Sequence, residues 1–536
     1  MRRFRILYFL IFSAVTSLHL VLGNGTASST EPATTTLWSP YAEWSLENST
    51  YSGNPFDVVA SATFVHHRSG ETRTTEMFYD GGTSWKFRFT GTQTGTWTFT
   101  TSSSDSDLDG QSGTVTVMPN PNPEITGFLI TQGNKFAVQV GEGELRGFLF
   151  NVYQENNKFP ADFWDWNNDR NLDYIRTYPA EEWASRYLQE ARTHGANTIW
   201  LALANQWFEV GVLDWHDLSS ENPDLRTFDM LDRVITTAHK EGGRVHIWLW
   251  GDDASDRHWT PTGGPGGGIN GVRDKRLQRY IAARLGPLPG WTMGYGFDLQ
   301  EWVSESQVGE WARYMHEHLG WDHVLMARGR SHSELDAVSY SGLNHSYSSA
   351  ASNLDSDKNR PHVFEERDYY QRSGNTMDVT RLHLWQYTLA GGHGGYWGIH
   401  HNWGSSYPNP EQMQTHFEFW LKNERFLLDM KRVAGADGYA LMDDAKTHYV
   451  FYKEGSSAIE LDLSAMIGPQ PAVAVDTRKR YAEINLGVLN AARQTWQAPY
   501  QSDWAIAVGD FGSAFTPDSV PPAPPSGVRV IPLQED

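Results

Sequence analysis

Three glutamates stand where this sequence could do chemistry. Glu301 closes the apolar run Gly294-Tyr295-Gly296-Phe297-Asp298-Leu299-Gln300-Glu301-Trp302, and Glu365 with Glu366 closes Arg360-Pro361-His362-Val363-Phe364-Glu365-Glu366-Arg367-Asp368. Cleavage of a glycosidic bond asks for such a set: one carboxyl group protonates the leaving oxygen, and a second, ionised, attacks the sugar or activates water. A separation of about 5 Å between the two implies retention of configuration, and a larger one inversion. Structural readings compete with this chemistry. Glu301 also suits the opening turn of a following helix, where acids meet the positive dipole end. Glu365 and Glu366 also suit a solvated cluster paired with Arg360 and Arg367. Successive residues point to opposite sides of a strand, so only one of the two is expected to face a pocket.

The elements that must position these residues read as a central barrel. After the stiff segment Pro119-Asn120-Pro121-Asn122-Pro123, buried apolar runs alternate with amphipathic stretches, the pattern of parallel βα units. Eight strands are expected: 147–153, 198–204, 245–250, 292–299, 323–327, 337–341, 362–366 and 395–399. Helices are clearest at 180–193, 227–240 and 306–318. Eight units over about 300 residues fit a (β/α)8 TIM barrel with insertions, whose active site lies at the C-terminal strand ends. Glutamates closing the fourth and seventh strands therefore face each other across its mouth.

Period-two runs such as Trp85-Lys86-Phe87-Arg88-Phe89 and Thr96-Trp97-Thr98-Phe99-Thr100 predict an antiparallel β-sandwich over 37–118. Similar alternation in Tyr449-Val450-Phe451-Tyr452 and Trp504-Ala505-Ile506-Ala507-Val508 predicts a second sandwich over 431–512, after a barrel spanning 124–430. The expected fold class is thus multidomain α/β and β, a (β/α)8 TIM barrel flanked by two sandwiches.

With its glutamates at the ends of strands four and seven, the chain resembles the large clan of retaining (β/α)8 glycoside hydrolases over residues 124–430. In that clan the strand-seven pattern often runs from proline to the nucleophile five residues on, which implies Glu366 as nucleophile with Glu365 in reserve and Glu301 as acid/base. His345-Ser346-Tyr347 matches the clan's strand-six His-x-Tyr, implying that the Tyr347 phenol hydrogen-bonds the nucleophile and that His345 lines the site. Trp397 matches the strand-eight aromatic floor of the sugar site. The sequence departs at Gln300, where the clan usually carries an asparagine that touches the sugar 2-hydroxyl. The leading sandwich, with Phe78-Tyr79-Asp80-Gly81-Gly82 and Gly95-Thr96-Trp97-Thr98-Phe99, and the closing one extend the likeness to bacterial polysaccharide-degrading enzymes.

Other strand ends offer substrate contacts that buried packing explains equally well: Asn151 after strand one, Asn205 and Trp207 after strand two, and Trp250 after strand three. The run Gly263-Gly264-Pro265-Gly266-Gly267-Gly268 has no following Lys-Ser/Thr, so it reads as a loop over the cleft and not as a phosphate cradle. His400-His401, near His393, lack a ligand motif, and no metal is expected. Asp105-Ser106-Asp107-Leu108-Asp109-Gly110 begins like a calcium loop, but Thr116 stands at its twelfth position, favouring a hairpin turn. No Gly-x-Ser-x-Gly elbow indicates a serine hydrolase. No cofactor is expected.

Composition bounds the rest. The 536 residues exceed a single core, and a formal charge of −21 disfavours nucleic acid and anionic membranes as partners. Without cysteine there are no disulfides, thiolate metal sites or lipoprotein anchors. The content of 23 Trp, 23 Tyr and 25 Phe suits stacking on pyranose faces. Met1-Arg2-Arg3-Phe4-Arg5 followed by an apolar run reads as a signal peptide over 1–23, with a linker at 24–36, implying a secreted or periplasmic protein. The proline-rich 513–536 reads as an extended tail. The expected partner is a polysaccharide or oligosaccharide; the rival readings are a lyase acting on a uronic-acid polymer and an inactive carbohydrate-binding protein.

Overall fold

The computed structural model describes residues 33–511 except 155–157, 161–174, 177, 204, 209–218, 252–259, 263–265, 297, 341–345, 369–376, 398–409 and 423. The expected leader and proline-rich tail lie outside the described residues, as do His345, His400 and His401.

Eight parallel strands form the central sheet: Phe150–Tyr153, Thr198–Ala202, Arg244–Trp248, Trp291–Gly294, Leu325–Met326, Val338–Tyr340, His362–Asp368 and Gly394–Trp397. Each falls within a few residues of its expected place. Their spatial order, five-four-three-two-one-eight-seven-six, nearly closes a barrel. Among the described residues no ladder joins the fifth strand to the sixth. Two backbone bonds bridge that seam, from the Gly329 N–H to the Ser339 carbonyl at 3.3 Å and from the Asp336 N–H to the Leu325 carbonyl at 3.1 Å. Strands two and three are buried along their whole length, as a parallel sheet covered on both faces demands.

Helices Ala180–Thr193, Leu225–Lys240, Val272–Leu285 and Glu305–His318 cover the outside of the barrel. The second starts at Asp224, whose carboxylate accepts from the Arg226 and Thr227 N–H groups, and it buries Phe228, Leu231, Val234 and Ile235 in a core shared with strands two to five. The fourth starts with a reciprocal capping box between Ser304 and Gln307. The hairpin strands Leu129–Gln132, Lys135–Val140 and Glu144–Phe148 bring Phe136 and Val138 into a cluster with Phe150, Val152, Trp200 and Trp248.

Ahead of the barrel lie a five-stranded sheet ordered Ala33–Thr36, Ser112–Met118, Gly95–Ser103, Ala60–His66, Thr72–Glu76 and a three-stranded sheet ordered Ala42–Glu47, Ser84–Phe89, Phe78–Tyr79. The two sheets share one apolar cluster, in which Trp44 stacks on Phe87 at 5.2 Å and Phe64 on Phe89 at 4.3 Å. Asp105 to Gly110 form a turn between two paired strands; Asp105 accepts from the Asp107 N–H and Asp109 from the Ser103 N–H.

Behind the barrel, six antiparallel strands make one sheet, built on the long pair Tyr449–Asp462 and Arg493–Val508. Register shifts between Lys453 and Ala458 interrupt this pair, and beyond them Ile459 and Leu461 join the cluster of Phe451 and Trp504. A separate cluster sets Val450, Tyr452 and Ala505 against Trp385, Phe419 and Trp420.

Buried ion pairs fasten the N-terminal sheets to the barrel helices. Arg88 donates two bonds of 2.8 Å to Asp232, and Arg284 donates to the same carboxylate at 2.9 Å. Burial alone would raise the Asp232 pKa, but the two guanidinium groups outweigh it and hold the carboxyl below its ordinary value.

Candidate active site

Strand seven is irregular where the candidate glutamates sit. Phe364 pairs with Gly395 and Arg367 with Tyr396, so a bulge at Glu365–Glu366 inserts residues opposite a single step of strand eight. Bulges bend a strand and re-aim its side chains, and they recur beside active sites. Glu365 lies wholly inside the barrel, with 0% of its surface exposed. Three side chains converge on it: the Trp248 indole N–H donates to one oxygen at 2.8 Å, His246 Nε2 lies 3.1 Å from the same oxygen, and the Ser339 hydroxyl meets the other. His246 in turn meets the Thr292 hydroxyl through Nδ1 at 2.7 Å, and its Nε2 lies 3.1 Å from Trp248 Nε1 as well as from Glu365 Oε1. Strands three, four and six thus all bear on one carboxyl group of strand seven. Gly294 completes the fit: a Cβ there would lie 2.5 Å from Glu365 Oε1 and 2.7 Å from Trp248 Cδ1. The Glu366 side chain lies outside the described residues.

After strand four the chain turns through Asp298, at φ 48°, into a 3-10 turn over Leu299–Glu301. Gln300 and Glu301 are exposed. Glu301 precedes the Ser304 cap and so stands clear of the helix Glu305–His318. Two arginines following strand five hold this segment: Arg328 donates to Asp298 at 2.7 Å, and Arg330 to the Gln300 carbonyl at 2.7 Å. Arg328 also lies 5.8 Å from the centre of the Trp248 ring, whose N–H reaches Glu365. The strand-four and strand-seven carboxylates are linked through Asp298, Arg328 and Trp248.

Behind this turn the wholly buried Asp274 accepts from the Tyr295 hydroxyl at 3.2 Å and the Asn270 N–H at 2.9 Å, while its Oδ1 has no partner. Burial raises its pKa to about 6, against the lowering pull of those hydrogen bonds. Tyr295 stacks on Trp302 at 5.8 Å, which ties Asp274 to the residue following Glu301.

Other expected site residues fall elsewhere. Tyr347 opens the helix Tyr347–Ser356 and stacks on Tyr439 of the C-terminal sheet at 4.0 Å; the strand-six hydroxyl on Glu365 is that of Ser339. Trp207 and Trp250 are fully buried, the first donating to the Leu249 carbonyl at 2.8 Å and the second stacking on Phe208 at 6.1 Å. Asn151, also buried, donates to the Gly195 carbonyl at 3.3 Å, on the approach to strand two. All three side chains are buried in this structure, with Asn151 Oδ1 and Trp250 Nε1 lacking a hydrogen-bond partner. Asn205 begins a 3-10 turn and Trp397 ends strand eight, with side chains outside the described residues. Among the described residues no group of three or more His, Asp or Glu could hold a metal ion, and no helix is long and apolar enough to cross a membrane.

Sequence reading missed Asp298, Arg328, Arg330, Ser339 and Thr292 among the residues gathered here, and weighed His246 only as substrate contact or barrel filling. The pattern Arg328-Gly329-Arg330 directly after a barrel strand was the one local signal for the arginines; the others meet only in space.

A domain of unknown function, DUF5060, matches residues 34–104. No curated protein matches. Solved structures do: a candidate glycoside hydrolase from Bacteroides vulgatus ATCC 8482 aligns over 89% of this chain and 99% of its own, with a TM-score of 0.66 at 14% identity. A structure described as a glycoside hydrolase aligns over 72% and 97% with a TM-score of 0.51 at 13% identity. A family 5 glycoside hydrolase from Bacteroides vulgatus ATCC 8482 aligns over 73% and 95% with a TM-score of 0.50 at 13% identity. At these identities the likeness is one of fold: the near-closed parallel barrel is shared with structures described as glycoside hydrolases.

Proposed function

We propose that this chain is an exported glycoside hydrolase that cleaves O-glycosidic bonds of a polysaccharide or oligosaccharide with retention of configuration. The observation that carries the reading is the convergence of strands three and six on the strand-seven bulge through the bonds to Glu365, with Thr292 of strand four behind His246. Glu365, enclosed and held by three polar partners, is the anchor of that bulge. Glu366, one residue nearer the barrel mouth and five residues after Pro361, is the nucleophile, on a strand whose register is interrupted there. Glu301 is the acid/base. In the first step the Glu366 carboxylate bonds to the anomeric carbon as the glycosidic C–O bond breaks and Glu301 protonates the leaving oxygen. In the second, Glu301 takes a proton from water, which attacks the same carbon and releases Glu366. The exposed Glu301 and the position of Gln300 suit contact with a sugar arriving at the mouth. We read the flanking sheets as two β-sandwiches, the first expected over 37–118 and extended by the strand Ala33–Thr36, the second over 431–512, bracing a barrel over 124–430. The basic and apolar N-terminus is the basis for export.

The test is a reducing-end assay against plant, algal and microbial polysaccharides, run beside Glu301→Gln, Glu365→Gln and Glu366→Gln. Losses of about 10²–10⁴-fold are expected for Glu301→Gln and larger ones for Glu366→Gln. A 2-deoxy-2-fluoro glycoside of the cleaved sugar should then add its mass to Glu366. An adduct on Glu365 would exchange the two roles, and full activity in all three variants would reject the site. Unsaturated products would mark a lyase, and glycan binding without turnover a binding protein.

A further inference from the structure

Strand five is followed at the barrel mouth by Ala327-Arg328-Gly329-Arg330, and the two arginines are used differently. The Arg330 N–H bonds back to the Ala327 carbonyl at 3.2 Å, through a turn in which Gly329 takes φ 72°, a conformation that favours glycine. Arg328 is buried and its charge is met by the Asp298 carboxylate at 2.7 Å. Arg330 is half-buried, and its printed acceptors are both neutral: the Gln300 carbonyl at 2.7 Å and the Leu299 carbonyl at 3.4 Å. Among the described residues no carboxylate pairs with Arg330, in a chain whose formal charge is −21.

Carbonyls orient a guanidinium group without cancelling its charge. Of the five N–H groups of an arginine, the two bonds here engage Nε and one hydrogen of Nη2, so the remaining donors can meet a ligand. The carbonyl held at 2.7 Å belongs to the peptide bond that joins Gln300 to Glu301, and among the described residues no ion pair includes Glu301. A fixed cation and an exposed carboxyl group thus stand side by side, unpaired. A planar guanidinium matches a carboxylate or a sulfate with two parallel bonds, where a neutral hydroxyl takes one. The overall negative charge does not forbid an anion at this place, because fields from exposed charges fade over about 8 Å at physiological salt.

We propose that Arg330 binds an anionic group, a carboxylate or a sulfate ester, on the sugar at the leaving-group side of the scissile bond, so that the substrate is an acidic polysaccharide. The assignment rests on the reading of Glu301 as the acid that meets the leaving oxygen.

The experiment compares acidic polymers with their own neutral forms: a polyuronate beside the same polymer with its carboxyl groups reduced to alcohols, and a sulfated galactan beside its desulfated product. The wild type should cleave one acidic polymer with kcat/KM at least about tenfold above its neutral form, and the pair that responds separates carboxylate from sulfate. Arg330→Met should bring that ratio close to one, and Arg330→Lys, which keeps the charge but not the fork, should fall between. Loss of the Gln300 bond alone would slow both forms alike and leave the ratio standing. A wild-type ratio at or below one, or a ratio unmoved in Arg330→Met, overturns the proposal; should that variant not fold, Arg330→Gln takes its place. If none of the four polymers yields reducing ends, the hydrolase reading fails on them and affinity electrophoresis in gels of the same four decides the site. Retardation by an acidic polymer that the substitution abolishes supports it, and equal mobility in the acidic and neutral gels rejects it.

Discussion

Asp274 shows how one buried carboxyl group sets a pH dependence. Its pKa rises from 3.8 in the unfolded chain to about 6 in the folded one, so the folded protein holds the proton more tightly. Its contribution to stability is therefore complete below pH 3.8 and is lost as pH rises to 6. Asparagine mimics the protonated acid, and the unpartnered Oδ1 is where its amide would sit without displacing the bonds from Tyr295 and Asn270. Asp274→Asn should raise the melting temperature at pH 7.5, by no more than about 3 kcal/mol of stability, and lose that advantage near pH 4. Melting curves at the two pH values check this; an advantage that grows on acidification would contradict the assignment. At the same scale, Gly294→Ala places a methyl group 2.5 Å from Glu365 Oε1, against a carboxylate held by three polar partners. Turnover should fall at least about tenfold with a modest loss of stability, read from kcat and the melting temperature together.

Among the elements, what was legible in the sequence was what local pattern controls. All eight barrel strands lie where continuous apolar runs placed them, because strands buried on both faces must be apolar throughout. The helix Ala180–Thr193 begins and ends where its periodicity does. His345-Ser346-Tyr347 shows the opposite case: the motif was read as a strand end, yet Ser346 caps a helix and Tyr347 turns to the C-terminal sheet. The partners of Glu365 were illegible because Trp248, His246, Thr292 and Ser339 come from three strands and none forms a motif with strand seven. The bulge was hidden for a related reason, since it is a relation between the registers of two strands. The expectation that only one of two successive glutamates faces a pocket rests on strict alternation, which a bulge interrupts.

On the scale of the whole molecule, the N-terminal sheets are held to the barrel by charges that have left water. Replacing Arg88 by methionine removes two bonds to Asp232 and leaves that carboxylate with Arg284. Breaking one partner of a buried network costs about 3–5 kcal/mol, so Arg88→Met should melt in two transitions where the wild type shows fewer, a result calorimetry reads directly. The barrel itself has a weaker line. Among the described residues, strands five and six are fastened by two backbone bonds and by the Leu325 N–H on the Asp336 carboxylate in place of a ladder, and the residues flanking that line are Arg328, which grips Asp298, and Ser339, which grips Glu365. The ring is therefore a bracelet whose clasp is also its setting: warming that loosens the clasp separates the supports of the two carboxylates before the rest of the ring has given way, so the working temperature of the site is fixed by its seam and not by its core.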